Sequence, residues 1–202
     1  MAQPAREQDR NLIAAAERGD QTEVQLLIYH GARLEARDER GRTALLAATH
    51  GNRVEVARFL IERGADVNAK DSIQDTPFLY AGAEGRTEIL KLTLPRANLK
   101  DTNRYGGTAL IPAAHHGHVE AVKVLLGTAI DKDHVNRLGW TALLEAVILG
   151  DGGKTHTEIV RLLVAARVNV NIADRDGVTP LAHAKRRNYS EMVRVLTAAG
   201  AR

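Results

Sequence analysis

The chain has 202 residues, 44% hydrophobic and 26% charged, which is enough apolar material for a folded soluble or repeat protein and far from a disordered composition. Its 28 basic and 25 acidic residues are intermingled along the chain, so the net charge of +3 implies no nucleic-acid partner by itself. The absence of cysteine excludes a disulfide framework and a cysteine zinc site. No apolar run approaches the roughly 18 residues of a membrane span, and MAQPAREQDR lacks the apolar core of a signal peptide. The compartment stays open: a cytoplasmic place is favoured, with a periplasmic or exported one left to a chain whose signal peptide had been removed.

From Asn11 onward the sequence repeats itself. Thr43, Thr76, Thr108, Thr141 and Thr179 anchor the later copies, and successive intervals are 32, 33, 32, 33 and 38 residues, the period of a two-helix unit. Two residues after each anchor stands Ile13, Leu45, Phe78, Leu110, Leu143 or Leu181, and five residues after it Ala16, Ala48, Ala81, Ala113, Ala146 or Ala184. One large and one small core residue per unit allow neighbouring helices to approach closely. Glu23, Glu55, Glu88, Glu120 and Glu191 then open a second apolar stretch with helical spacing. Three residues before them, Asp20, Asn52, Gly85, Gly117 and Asn188 are residues that tolerate a left-handed backbone, and each is expected both to end the first helix and to cap the second.

Ahead of the anchors, DERGRT, NRYGGT, NRLGWT and DRDGVT place Asp or Asn and then Gly where a tight turn needs them. In DSIQDT the glycine is replaced by Gln74, which predicts a more strained or differently shaped turn. Ala129 and Arg167 likewise stand where a glycine should end the second helix, and the third unit omits a residue near Arg96 and Ala97.

The turn, T-P-L-x-x-A and G-A-D-V-N elements, clearest in GADVNAKD (Gly64 to Asp71) and TPLAHA (Thr179 to Ala184), resemble the ankyrin repeat family over residues 9–202. The resemblance implies an all-α ankyrin repeat solenoid of about six stacked helix-turn-helix units with short β-turn fingertips. The expected organisation is a tail over 1–8 and a single domain over 9–202, with units at about 9–38, 39–71, 72–103, 104–136, 137–174 and 175–202. Helices of two to three turns are too short to persist alone, so stacking must stabilise them.

The stretch GDGGKT, Gly150 to Thr155, looks like a phosphate-binding loop. That motif needs a glycine where Ile148 stands and a strand before it, whereas the preceding segment reads as a helix. The five extra residues of this unit are expected to form a loop between two helices, with Gly150 ending the first and Thr155 capping the second in a capping box with Glu158. His115, His116 and His118 invite a metal reading, but no carboxylate pattern completes a ligand set, so no cofactor or metal is expected. Ser72 and Ser190 have no paired base and acid, and no enzymatic activity is expected.

The resemblance also marks a recognition surface: the residues flanking each turn glycine and the end of each first helix. This selects Arg40, Arg42, Ile73, Arg104, Tyr105, His115, His116, Arg137, Leu138, Trp140, Ile148, Leu149, Arg175 and Val178. Tyr105, Leu138, Trp140, Ile148 and Leu149 are large apolar groups that turn tips do not require, and the arginines around them suit an acidic partner. The expectation is a monomeric scaffold that binds another protein bearing an acidic surface around an apolar patch. The competing readings are nucleotide or anion binding at Gly150–Thr155 and nucleic-acid binding through the fingertip arginines, the latter interrupted by Glu39, Asp75 and Asp176. Trp140 and Tyr105 could instead lie against neighbouring turns and stiffen the row.

Overall fold

The computed structural model of the protein describes residues 7–202. Of the expected tail, residues 1–6 lie outside the described residues, while Glu7 and Gln8 already belong to the first helix. The described residues contain twelve α-helices and no strand, in six consecutive pairs. These are α1 (Glu7–Arg18) and α2 (Gln21–Tyr29), α3 (Ala44–His50) and α4 (Val54–Glu62), α5 (Pro77–Ala83) and α6 (Thr87–Thr93), α7 (Leu110–His115) and α8 (Val119–Leu126), α9 (Ala142–Ile148) and α10 (Lys154–Ala165), and α11 (Pro180–Arg186) and α12 (Ser190–Ala198).

The chain falls into two compact units, one comprising the residues up to Ala81 with Arg86–Asn98, the other Gly82–Gly85 with Leu99–Arg202. In the first, α1 packs on α2 and α3, α3 on α4, and α4 on α2 and α6. In the second, the first helices α7, α9 and α11 stack in order, as do the second helices α8, α10 and α12. The six alanines of the repeat, Ala16, Ala48, Ala81, Ala113, Ala146 and Ala184, are all fully buried. The large residue three positions before each of them is buried as well, from Ile13 to Leu181. Each such side chain contributes about 2 kcal/mol by leaving water, which helices of 6 to 12 residues cannot do without.

The anchor threonines cap the first helices. Oγ1 of Thr43, Thr76, Thr141 and Thr179 accepts the N–H three residues on, at 3.0 to 3.3 Å. Thr108 departs from the pattern. Four residues after it stands Pro112, which has no N–H to offer the Thr108 carbonyl, where Thr43, Thr76, Thr141 and Thr179 all receive that bond. Ile111 N–H takes its place at 3.1 Å, the helix starts one residue later at Leu110, and the buried Thr108 Oγ1 has no hydrogen-bond partner.

The left-handed turn and the N-cap of the second helix fall to two consecutive residues, not one. Asn52, Gly85, Gly117 and Asn188 take the left-handed conformation, and the following Arg53, Arg86, His118 and Tyr189 are the N-caps, with no side-chain cap bond. Only in the first pair does the expected residue cap: Asp20 accepts from Glu23 N–H at 3.0 Å, and Gly19 supplies the left-handed turn before it. A residue at positive φ has already turned its side chain away from the next helix, so one residue cannot do both tasks. Gln74 is left-handed, at φ 70°, as is Arg167 at 61°. Ala129 is not, because α8 stops at Leu126 and Gly127 and Thr128 make the exit. The third unit replaces its left-handed exit with a 3-10 turn, Leu94–Arg96.

Candidate partner-binding surface

Five turns share one hydrogen-bonded design. The Oδ1 of Asp38, Asp71, Asn103, Asn136 and Asp174 accepts the N–H groups two and four residues on, at 2.9 to 3.0 Å. The backbone N–H of the same residue donates to the carbonyl four residues on, closing the loop. Every tip is therefore preorganised by one short polar side chain.

In the first unit, Ser72 joins the two tips by donating its N–H and its hydroxyl to the Arg40 carbonyl, at 3.0 and 2.7 Å. Arg40 and Ile73 are exposed. Arg42 is not: it is buried between Glu17, at 2.9 Å, and Asp38, at 2.8 Å. Its charge is answered inside the protein, and the Arg42 hydrogen bond holds the Glu17 carboxyl below its ordinary value. Arg42 ties its turn to α1. An open groove of about 650 Å³ lies beside it, lined by Ile13, Ala14, Arg37, Glu39 and Arg40 among others. Nearby, the rings of His50 and Tyr80 stack at 3.7 Å.

In the second unit the arginines form a ladder. Arg137 N–H donates to the Tyr105 carbonyl at 2.9 Å, the Arg137 guanidinium to the Arg104 carbonyl at 3.1 Å, and the Arg175 guanidinium to the Arg137 carbonyl. The aliphatic stems of Arg137 and Arg175 lie across Gly106 and Gly139, where a β-carbon would come within 2.8 and 2.6 Å of them. Arg104 stacks over the Tyr105 ring at 4.8 Å. All three arginines keep exposed heads, and Tyr105, Leu138 and Leu149 are also exposed. Trp140, Ile148 and Val178 are half-buried. Ile148 and Leu149 end α9, about 10 Å along the helix from the Trp140 turn.

His115 and His116 end α7 with their rings 4.6 Å apart. His116 Nδ1 faces the Ala83 carbonyl at 2.7 Å, and His115 Nδ1 lies 3.7 Å from the buried carboxylate of Glu145. Burial, with His116 and His156 nearby, pushes the His115 imidazole down from its ordinary value. His183 meets Asp174 at 2.6 Å. No group of three or more His, Asp or Glu among the described residues is arranged to hold a metal ion. Sequence reasoning missed Glu145, which looks like an ordinary surface glutamate until its burial is known.

Gly150–Thr155 does not form the expected capping box. Helix α9 ends at Ile148, with Leu149 as its cap, and α10 begins at Lys154, with Gly153 as N-cap and no side-chain cap bond. Asp151 performs the polar work instead: its Oδ1 accepts from Gly153 N–H at 2.8 Å and meets His156 Nδ1 at 3.1 Å. The other ring nitrogen of His156 faces the His115 carbonyl at 2.8 Å, and Tyr189 donates its hydroxyl hydrogen to the Gly150 carbonyl at 3.0 Å. The loop follows a helix rather than a strand.

The profile described as Ankyrin repeats (3 copies) matches residues 4–71, 72–136 and 129–202. The chain is 36% identical over 191 residues to the ankyrin repeat protein YahD of Escherichia coli K12, covering 94% of this chain and 95% of that one. It is similar to the crystal structure of an ankyrin repeat domain from Acinetobacter baumannii AYE, at 53% identity and TM-score 0.91, with 95% and 98% of the two chains covered. The ankyrin repeat domain of Bcl-3, a member of the IkappaB protein family, aligns at 27% identity and TM-score 0.84 over 95% of this chain and 86% of that one. With the buried alanine column, the threonine-capped first helices and the Asx-closed turns, these matches show that the chain belongs to the ankyrin repeat family.

Proposed function

We propose that this protein is a non-enzymatic scaffold that captures another protein through its turn tips and the ends of its first helices. Ankyrin repeats are generally protein–protein interaction modules, and proteins built from them are typically scaffolds without catalysis. In the second unit, the proposed contact residues are Arg104, Tyr105, Arg137, Leu138, Trp140 and Arg175 on the tips, with Val178 beside them and His115, His116, Ile148 and Leu149 at the helix ends. Arg40 and Ile73 play the same part in the first. Arg42 is left out because its guanidinium is already paired inside the protein.

The observation that carries this reading is the arginine ladder. Turns locked by hydrogen bonds hold Tyr105 and Leu138 in water at 51% and 47% exposure, beside three exposed guanidinium groups. Holding apolar groups in water gives folding nothing in return, whereas it suits a partner with an apolar anchor and acidic surroundings, because little ordering is left for association. Affinity capture compares the parent with a Tyr105→Ala, Trp140→Ala double variant of unchanged helicity. Loss of a specific partner, with each hot-spot truncation costing about 2 kcal/mol of binding, supports the surface. Equal capture by both proteins moves it elsewhere.

A further inference from the structure

Glu145 lies on α9, four residues after the capping Thr141, and is buried. Its Oε1 accepts a hydrogen bond from Asn136 Nδ2 at 2.8 Å. Asn136 is also buried, and its Oδ1 holds the N–H groups of Leu138 and Trp140, each at 3.0 Å. The amide is planar, so fixing Nδ2 fixes the direction of Oδ1 and with it the turn. The next repeat uses the same register with other chemistry: His183, four residues after Thr179, meets Asp174, which closes its own turn.

We infer that Glu145 is the positioning residue of the Asn136–Trp140 turn, acting through Asn136, and that a proton entering the Glu145–His115 pair alters how Trp140 and Leu138 are presented. The consequence for partner capture rests on the proposed binding surface; the control of the turn does not.

Several titratable groups face the pair. From α7, His115 Nδ1 stands 3.7 Å from Glu145 Oε2, and His116 lies against His115. From α10, His156 bridges Asp151 and the His115 carbonyl. From α11, His183 is committed to Asp174. Burial pushes Glu145 up from 4.5, and burial with His116 and His156 pushes His115 down from 6.5. The two shifts run in opposite directions, and the His115 ring stands beside the carboxylate at 3.7 Å. Ionised Glu145 gives Asn136 a charge-assisted bond, about twice as strong as the neutral one that remains after protonation.

Trp140 is the only tryptophan in the chain, so its emission reports this turn without a partner. The parent's emission should show a transition above pH 4.5, the ordinary value from which burial raises Glu145. Glu145→Gln, which keeps the acceptor and removes the charge, should abolish it. Asn136→Asp, which sets a second carboxylate against Glu145, should raise its midpoint by about one pH unit or more. Far-UV circular dichroism checks each variant's helices, and if Asn136→Asp loses them, Glu145→Gln decides. A Glu145→Gln protein that titrates like the parent, or a folded Asn136→Asp protein with an unmoved midpoint, overturns the inference. If the parent titrates as expected but the Tyr105, Trp140 double variant captures as the parent does, the binding surface fails and the control of the turn stands.

Discussion

Arg42 Nη1 lies 2.9 Å from Glu17 Oε1, tying the turn before α3 to the end of α1. The same guanidinium reaches Asp38 with Nε, so one buried cation serves two carboxylates, one on α1 and one in the turn before α3. Arg42→Met keeps the stem and removes the charge. Breaking a fully buried pair costs about 3–5 kcal/mol, but the Glu17 side chain is 44% exposed, so a loss of about 1–2 kcal/mol in urea unfolding is expected. Glu17 is held below 4.5 by Arg42, so this stability is present above that value and is lost as pH falls through the folded one. The penalty should be largest near neutrality and fade in acid.

The inserted loop is pinned where Gly152, at φ 72°, lies under the Tyr189 ring. A β-carbon there would stand 2.3 Å from Tyr189 Cδ1. Gly152→Ala therefore combines a left-handed strain of about 1–2 kcal/mol with a collision. Tyr189→Phe loses only the bond to the Gly150 carbonyl, about 1 kcal/mol. In a double-mutant cycle with Tyr189→Ala, the Gly152→Ala penalty should shrink toward the backbone strain alone. Strict additivity would show that the ring does not rest on this glycine.

The capping threonines make a paired prediction. Thr141 Oγ1 accepts from Leu144 N–H at 3.2 Å, so Thr141→Val should cost about 1 kcal/mol in thermal or urea unfolding. Thr108 has the same sequence context but a buried hydroxyl with no partner, so Thr108→Val should be neutral or stabilising. Equal losses at the two positions would mean that Pro112 does not displace the cap.

The repeat was legible because packing imposes it on every unit: a large residue and, three positions on, an alanine recur at fixed offsets, and both prove buried in all six units. At Gln74 the expectation held in part: the residue takes the strained left-handed conformation, but the turn keeps the hydrogen-bonded shape of the others. What escaped were effects that depend on a neighbour. Arg42 reads as a fingertip arginine until Glu17 is seen beside it, and Thr155 reads as a cap until Asp151 takes the Gly153 N–H. The arginine ladder crosses between repeats, so the spacing within one unit does not announce it.

Glu145 gives the last prediction, on stability. Burial raises its folded value above the ordinary 4.5. The folded state therefore binds more protons than the unfolded chain in the window above 4.5, and the group's contribution is most favourable below 4.5 and is lost as pH rises through the folded value. Glu145→Gln removes this dependence while keeping an acceptor for Asn136. The variant's stability relative to the parent should therefore rise with pH, being more favourable at neutrality than in acid. Groups such as Glu17 contribute with the opposite sign, but equally in both proteins, so they cancel in the difference. Urea midpoints of the two proteins at neutral pH and at about pH 4 measure it. A relative stability that falls as pH rises would mean that Glu145 is better solvated or better paired as an anion than its burial beneath the turn implies.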